Sequence, residues 1–350
     1  MTQSTRAAGL LVIAVVFTIT TSGLPAAQAE IAMYRGACDG SAAIALDQNR
    51  FVVADDDSNV LNVYQKGQAD AVKQLSLNVF LEAPTKKKPG PDGKPVFKEA
   101  DLEGAARIGD RIYWIGSHGR DSGGDAEPGR SRLFATRIVP DGSRLEPIGS
   151  GAYKALREDM FDAPKLRALN LADAFAPGKK KHGPAPESEN GFNIEGLAAT
   201  PDGRLLIGFR NPRPGKKAVV IPLDNPADVV EAGKKPVFGN PIQLELEGRG
   251  IRSIEWINNT YVIVAGPHGE AKESAIRPPF ALFTWSGKED DTKPVMMDVK
   301  IPDDFAPEAL FAIPDSSNMM VLSDDGTDSC KKAEEKARKV FRALTLPTPK

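Results

Sequence analysis

The sequence predicts an all-β fold, a β-propeller of five four-stranded blades closed by the N-terminal strand. Three observations carry that reading. One theme recurs five times along the 350 residues: a small or polar head, a β-prone run, a tight polar turn and a second β-prone run. Further short runs of β-branched and aromatic residues follow each copy, bounded by turn residues. Glycine (32) and proline (28) are numerous enough to supply the turns that so many short strands need.

The first copy has Asp39-Gly40-Ser41 at its head, then Ala42 to Leu46, the turn Asp47-Gln48-Asn49, and Arg50 to Ala54 ending in Asp55-Asp56-Asp57. The second runs from Asp101-Leu102-Glu103-Gly104 through Gly109-Asp110 to Arg111 to Ile115, ending at Ser117-His118. The third runs from Asn193-Ile194-Glu195-Gly196 through Pro201-Asp202-Gly203 to Leu205 to Ile207 and Arg210. The fourth runs from Gly250-Ile251-Arg252-Ser253 through Asn258-Asn259 to Tyr261 to Val264 and His268. The fifth runs from Ala306-Pro307-Glu308-Ala309 through Asp315-Ser316-Ser317 to Met319 to Leu322 and Asp324-Asp325.

Third and fourth strands are expected at Leu61 to Tyr64 and Val72 to Asn78, Leu133 to Ile138 and Leu145 to Ile148, Ala218 to Leu223 and Ile242 to Leu246, and Phe280 to Trp285 and Val295 to Ile301. The fifth copy has only Phe341 to Leu346, and Ile31 to Tyr34 supplies its missing strand from the other end of the chain. A ring closed in this way leaves only short edges. Hairpins occur in any all-β protein, so the matched heads are what favour a propeller over a sandwich or a two-domain fold. The longest gap leaves room for a degenerate sixth blade. Within it, Leu156, Met160, Leu166 and Leu169 are spaced as short helices broken by Pro164, so a helical insertion is expected over 151–190.

Residues 1–29 read as a secretory signal, with Arg6, an apolar run from Ala7 to Leu24 and the cleavage pattern Ala27-Gln28-Ala29. Residues 30–350 would then form a single exported domain, periplasmic or secreted, monomeric and without a stable membrane span. In that compartment Cys38 and Cys330 can pair, and a bridge between them would staple the ring. The 45 basic and 47 acidic residues exclude the dense basic face that nucleic-acid binding needs.

The motifs Cys38-Asp39-Gly40-Ser41-Ala42-Ala43, Asp101-Leu102-Glu103-Gly104-Ala105-Ala106, Ile115-Gly116-Ser117-His118-Gly119-Arg120, Asn193-Ile194-Glu195-Gly196-Leu197-Ala198 and Gly250-Ile251-Arg252 resemble those of secreted bacterial proteins of domain-of-unknown-function family 3616. The resemblance spans nearly all of the chain after residue 29. It implies a propeller-like fold and carries no established activity, so no catalytic residue transfers with it. The repeated Glu-Gly at a strand head is also, more weakly, similar to exported esterase-like phytase domains.

Propeller geometry brings the strand heads and the ends of the second strands to one channel mouth. Ser41, Glu103, Glu195, Arg252 and Glu308 form the head column, while Asp55, Asp57, His118, Arg120, Arg210, His268, Asp324 and Asp325 come from or just beyond the second-strand ends. Most long connections belong to the same face, whereas Asp224 to Asn240 is expected opposite. Asp55, Asp57, Asp324 and Asp325 are candidate ligands for a divalent cation, with Ca²⁺ suited to an exported protein. Arg120, Arg210 and Arg252, with Glu308 beside them, are candidate ligand-binding residues for a phosphate or carboxylate. His118, His268, Glu103 and Glu195 are candidate acids and bases. The expectation is a divalent-metal-assisted hydrolase of phosphorylated or anionic small molecules. The alternative is a non-catalytic propeller that binds a ligand or an envelope protein.

Overall fold

Second strands such as Arg50–Ala54 and Thr260–Gly266 are nearly unbroken apolar runs, because each lies between two neighbouring blades and is covered on both faces. The computed structural model describes residues 30–55, 57–90, 93–139, 144–178, 182–269, 278–326, 330 and 339–350. The expected signal segment, residues 1–29, lies outside them.

Strand β1 (Ile31–Arg35) stands apart from the strands that follow it in sequence. Blade one is β2 (Ala42–Ala45), β3 (Arg50–Ala54), β4 (Val60–Gln65) and β5 (Lys73–Ser76). Blade two is β6 (Leu102–Ile108), β7 (Arg111–Gly116), β8 (Leu133–Ile138) and β9 (Leu145–Pro147). The chain then forms α1 (Leu156–Asp162) and α2 (Leu171–Phe175), which are the expected short helices. Blade three is β10 (Asn193–Ala199), β11 (Leu205–Asn211), β12 (Ala218–Leu223) and β13 (Ile242–Leu244), with α3 (Pro226–Ala232) between its last two strands. Blade four is β14 (Gly250–Ile257), β15 (Thr260–Gly266), β16 (Ala281–Trp285) and β17 (Val295–Met296). Blade five is β18 (Pro307–Ala312), β19 (Asn318–Ser323) and β20 (Val340–Pro347), completed by β1 in antiparallel register from Ile31 opposite Leu344 to Arg35 opposite Val340.

Five blades are therefore present, and the long gap holds helices instead of a sixth. Outermost strands are shorter than the sequence suggests. They pair on one side only, and in β17 both Val295 and Met296 are exposed.

Five apolar layers lie between consecutive blades. Trp114 and Phe134 belong to the layer between blades one and two, Leu282 and Val321 to that between four and five. Between blades two and three, Leu156, Met160, Leu166, Leu169 and Leu171 of the helical insertion join the core. The insertion is thus packed onto the ring. Connection 224–240 carries α3 at the opposite end, where Glu231 meets Arg111 of the β6–β7 turn.

The closing layer is aromatic. Tyr34 of β1 meets Phe51 at 5.0 Å, Phe341 at 5.5 Å and Tyr64 at 5.3 Å between ring centroids, and Phe51 stacks on Phe311 at 5.2 Å. Each such contact adds about 0.5–1.5 kcal/mol beyond area burial. The Cys38–Cys330 disulfide spans 292 residues across the same seam, with Cα atoms 5.9 Å apart. Closing a loop that long removes about 5–6 kcal/mol of unfolded-chain entropy in the polymer estimate, an upper limit. A Cys38→Ser/Cys330→Ser double variant should keep its strand content but lose roughly 2–5 kcal/mol in urea unfolding. An unchanged midpoint would show that strand pairing and the aromatic layer close the ring unaided.

Candidate functional site

At the head of four innermost strands the register slips. The slips fall between Leu102 and Gly104, Ile194 and Gly196, Ile251 and Ser253, and Pro307 and Ala309. The residues passed over are Glu103, Glu195, Arg252 and Glu308. A bulged residue leaves the ladder, and the bend re-aims its side chain. All four are buried, and one carboxylate oxygen from each of Glu103, Glu195 and Glu308 lies within 4.8 Å of the others. Blade one departs from the rule, since Ala42 pairs with Ala54 without a slip and the short Ser41 precedes it.

The glycine after Glu103 and the one after Glu195 have a separate reason; Glu308 is followed by Ala309. A Cβ on Gly104 would come within 2.8 Å of Leu197 Cβ, and one on Gly196 within 2.8 Å of Ile251 Cγ2, each on the next blade. Glu-Gly therefore combines a side chain aimed at the mouth with a backbone that lets the neighbouring blade approach.

Arg252 is the fourth blade's contribution, and it reaches both neighbouring blades. Its Nη1 lies 2.9 Å from Glu195 Oε2 and 3.1 Å from Oε1, and its Nη2 pairs with Glu308. Burial alone would pull the guanidinium's proton affinity down, but Glu195 and then Glu308 more than offset this and raise it. Arg210 adds a second cation, with Nη1 3.0 Å from Glu195 Oε1, and Asn193 Nδ2 donates to the same oxygen at 2.7 Å. Arg210 and Arg252 thus each hold an internal carboxylate.

A second carboxylate group belongs to blade one. One oxygen from each of Asp39, Asp55 and Asp57 lies within 4.8 Å of the others, with Asp39 and Asp55 buried and Asp57 exposed. Asp39 also forms a backbone bridge with Asp324, whose charge acts on Arg252, which puts blade five's strand end beside the mouth. Asp325 has a different position. It accepts from Arg342 Nη2 at 2.7 Å, from Arg342 N at 3.0 Å and from Ser323 Oγ, tying β20 to the end of β19.

The two histidines occupy matching strand ends but differ in setting. His118 is fully buried in left-handed backbone at φ 54°, an uncommon conformation for a residue other than glycine. Burial, and then the positive charge of Arg157, push its pKa down to about 3. Neither ring nitrogen meets a partner at hydrogen-bond geometry, although the Arg132 backbone lies close by. His268 is half-buried, and its carbonyl accepts from Arg210 Nε at 3.1 Å and Asn211 Nδ2 at 3.0 Å. Arg120 turns to the helical insertion, donating to Phe175 O at 2.6 Å and Gly124 O at 3.1 Å and lying 4.3 Å from the Phe175 ring centroid.

The structure therefore brings Glu103, Glu195, Arg210, Arg252 and Glu308 together as read from the sequence, and gathers Asp55 and Asp57 with Asp39. In the sequence Asp39 reads only as part of the polar head Asp39-Gly40-Ser41. Its signal was its place in a strand head that lacks a charged bulge.

Two outcomes test these settings. Glu195→Ala takes the carboxylate from half-buried Arg210 and one of two carboxylates from buried Arg252, and should cost about 3–5 kcal/mol of stability, measured by urea unfolding; a loss below about 1 kcal/mol would contradict the pairing. For His118, the native pKa lies below the unfolded value of 6.5. The unfolded chain then binds the extra proton, and stability falls as pH drops from 6.5 towards 3, by up to about 1.4 kcal/mol per pH unit. His118→Asn should flatten that acid limb, and an identical pH profile would refute the assignment.

By sequence, the chain matches no curated protein. Among solved structures it is similar to the glutaminyl cyclase of Myxococcus xanthus, at 12% identity, a TM-score of 0.45, and coverage of 92% of this chain and 97% of that one. It is similar also to the PQQ-bound aldose sugar dehydrogenase of Streptomyces coelicolor, at 12% identity, a TM-score of 0.41, and coverage of 93% and 99%. The native Bacillus subtilis arabinanase Arb43A gives 8% identity, a TM-score of 0.41, and coverage of 90% and 96%. Residues 169–320, which contain the heads of blades three, four and five, match the family described as protein of unknown function (DUF3616), which supports the resemblance read from the strand-head motifs.

Proposed function

We propose that this is an exported propeller that holds a divalent cation at its elaborated mouth and uses it to bind a small anionic ligand. The observation that carries the reading is the Asp39, Asp55 and Asp57 group, in which three carboxylate oxygens lie within 4.8 Å of one another. Like charges at that spacing repel, and a hard cation with oxygen ligands offsets the repulsion. Ca²⁺ is the fitting ion, since it accepts carboxylates in flexible geometry and completes its shell with water or ligand oxygens on the exposed side of Asp57. The glutamate cluster is the less suitable seat, because Arg252 already supplies a positive charge to Glu195 and Glu308.

Binding is favoured over hydrolysis by the setting of the candidate acid-base groups. His118 is neutral and buried at neutral pH, and Arg210 and Arg252 are committed to internal carboxylates. Hydrolysis is the second reading, favoured by His268, half-buried at the end of β15 beside Arg210. In that case the cation would polarise an anionic ester and His268 would transfer the proton.

Calcium titration by calorimetry on the chain lacking residues 1–29 should show one site, and Asp57→Asn should weaken it at least tenfold. No heat of binding, or equal affinity in Asp55→Asn and Asp57→Asn, would overturn the proposal. Turnover in a phosphoester and carboxylic-ester screen that needs Ca²⁺ and is lost in His268→Ala would establish the hydrolytic reading instead.

A further inference from the structure

A second hollow lies outside the channel mouth, between the β7–β8 connection of blade two and the start of the helical insertion. It has a volume of about 490 Å³ and is lined by Pro128, Ser131, Arg132, Lys154, Arg157 and Glu158. These residues come from two connections distant in sequence. They meet because Tyr153 forms a bridge with Leu133, its N and O each bonding the other's backbone at 2.8 and 2.9 Å, which brings 154–158 against 128–132.

Its charges are out of balance. Arg132 is buried at 4% exposure, and among the described residues it forms no ion pair. It donates to carbonyls, Nε to Leu81 O at 3.0 Å and Nη1 to Pro128 O at 2.8 Å and Ser131 O at 2.9 Å. Carbonyl dipoles orient a guanidinium without neutralising it, and burial lowers its proton affinity, offset only in part by Glu82. Arg157 is held by His118 O at 3.2 Å and by its neighbour Glu158, and it lies 3.8 Å from the Phe175 ring centroid. At the rim, Lys154 pairs with Glu82 at 2.7 Å. The two carboxylates present are thus taken by Arg157 and Lys154, and Arg132 has none.

A further group points to a ligand. Ser131 is buried at 4% exposure, and its hydroxyl has no hydrogen-bond partner. A buried hydroxyl left unsatisfied costs about 1–3 kcal/mol, so a group that accepts from it is favoured. Beyond the rim, Arg120 and Arg157 repel one another, and the charges of Arg157 and Arg132 both depress the pKa of His118. The lining itself carries three basic residues, Arg132, Lys154 and Arg157, against one acidic residue, Glu158.

We infer that this hollow is an anion site for a phosphate group, with Arg132 and Arg157 supplying charge, the Ser131 hydroxyl donating one hydrogen bond and Lys154 closing the rim. A phosphate suits it because its oxygens can accept from donors approaching along different directions, and guanidinium and hydroxyl donors are its usual partners. Pro128 and Ala155 add apolar wall, leaving room for a small organic group on the phosphate. The site is independent of the cation proposed at the mouth.

The test is calorimetry on the chain lacking residues 1–29, without Ca²⁺, with inorganic phosphate and phenyl phosphate as probes and sodium chloride at matched ionic strength as the control. Phosphate should bind with Kd of about 1 mM or tighter, and phenyl phosphate more tightly if an organic phosphate is the natural occupant. Free phosphate binding the more tightly would assign the site to the inorganic ion. Ser131→Ala and Arg157→Gln should each weaken binding about tenfold, while Asp57→Asn at the mouth leaves it unchanged. Arg132→Lys, which keeps the charge and loses the fork, provides a folded alternative to alanine and should also weaken binding, with thermal melting checking that each variant is native. No binding up to about 10 mM phosphate, or wild-type affinity in both Ser131→Ala and Arg157→Gln, would overturn the inference.

Discussion

The mouth is organised by one buried guanidinium. Arg252 stands on blade four and binds Glu195 of blade three and Glu308 of blade five, so the ion pairs cross two blade boundaries at once. Buried charges of one sign would force the blades apart, and a single buried cation among glutamates turns that repulsion into a cross-blade tie. The tie exists because a one-residue slip at each strand head takes the charged side chain out of the ladder. Glycine after Glu103 and after Glu195 then lets the next blade close in.

Blade one carries no charged bulge, and it adjoins blade five, where β1 closes the ring. Cys38 precedes Asp39, and the Cys38 carbonyl accepts from Asp325 N at 3.2 Å, so the disulfide seam and the aspartate group share a short stretch of chain. Asp325 meanwhile clamps Arg342 on β20. Closure and candidate cation site are thus physically coupled: whatever loosens β1 or β20 should also disturb the spacing of Asp39, Asp55 and Asp57.

Much of this was legible in the sequence because it rests on local, repeated features. The Glu103, Glu195 and Glu308 heads, the arginine that replaces glutamate at Arg252, and the short turns recur at matched points, and a repeated unit must place matched residues at matched points of a ring. Pairing of Cys38 with Cys330 followed from there being only two cysteines in the chain. Features made by non-local packing were not legible. Asp39 acquires its neighbours only when β2 and β3 pair, and Asp325 reads like Asp324 until Arg342 arrives from β20. The hollow beside Ser131 and Arg132 joins connections with no common spacing. Outer strands such as Val295–Met296 ended early because solvent, not pattern, limits an edge.

The central claim is a division of labour at one mouth, in which Arg252 occupies the glutamate cluster from within and an external cation takes the aspartates. Anomalous diffraction from crystals grown with calcium, or with a lanthanide in its place, locates the ion directly. A peak is expected among Asp39, Asp55 and Asp57, with Arg252 still bound to Glu195 and Glu308. A peak among Glu103, Glu195 and Glu308 with Arg252 displaced, or no peak at either group, would contradict it.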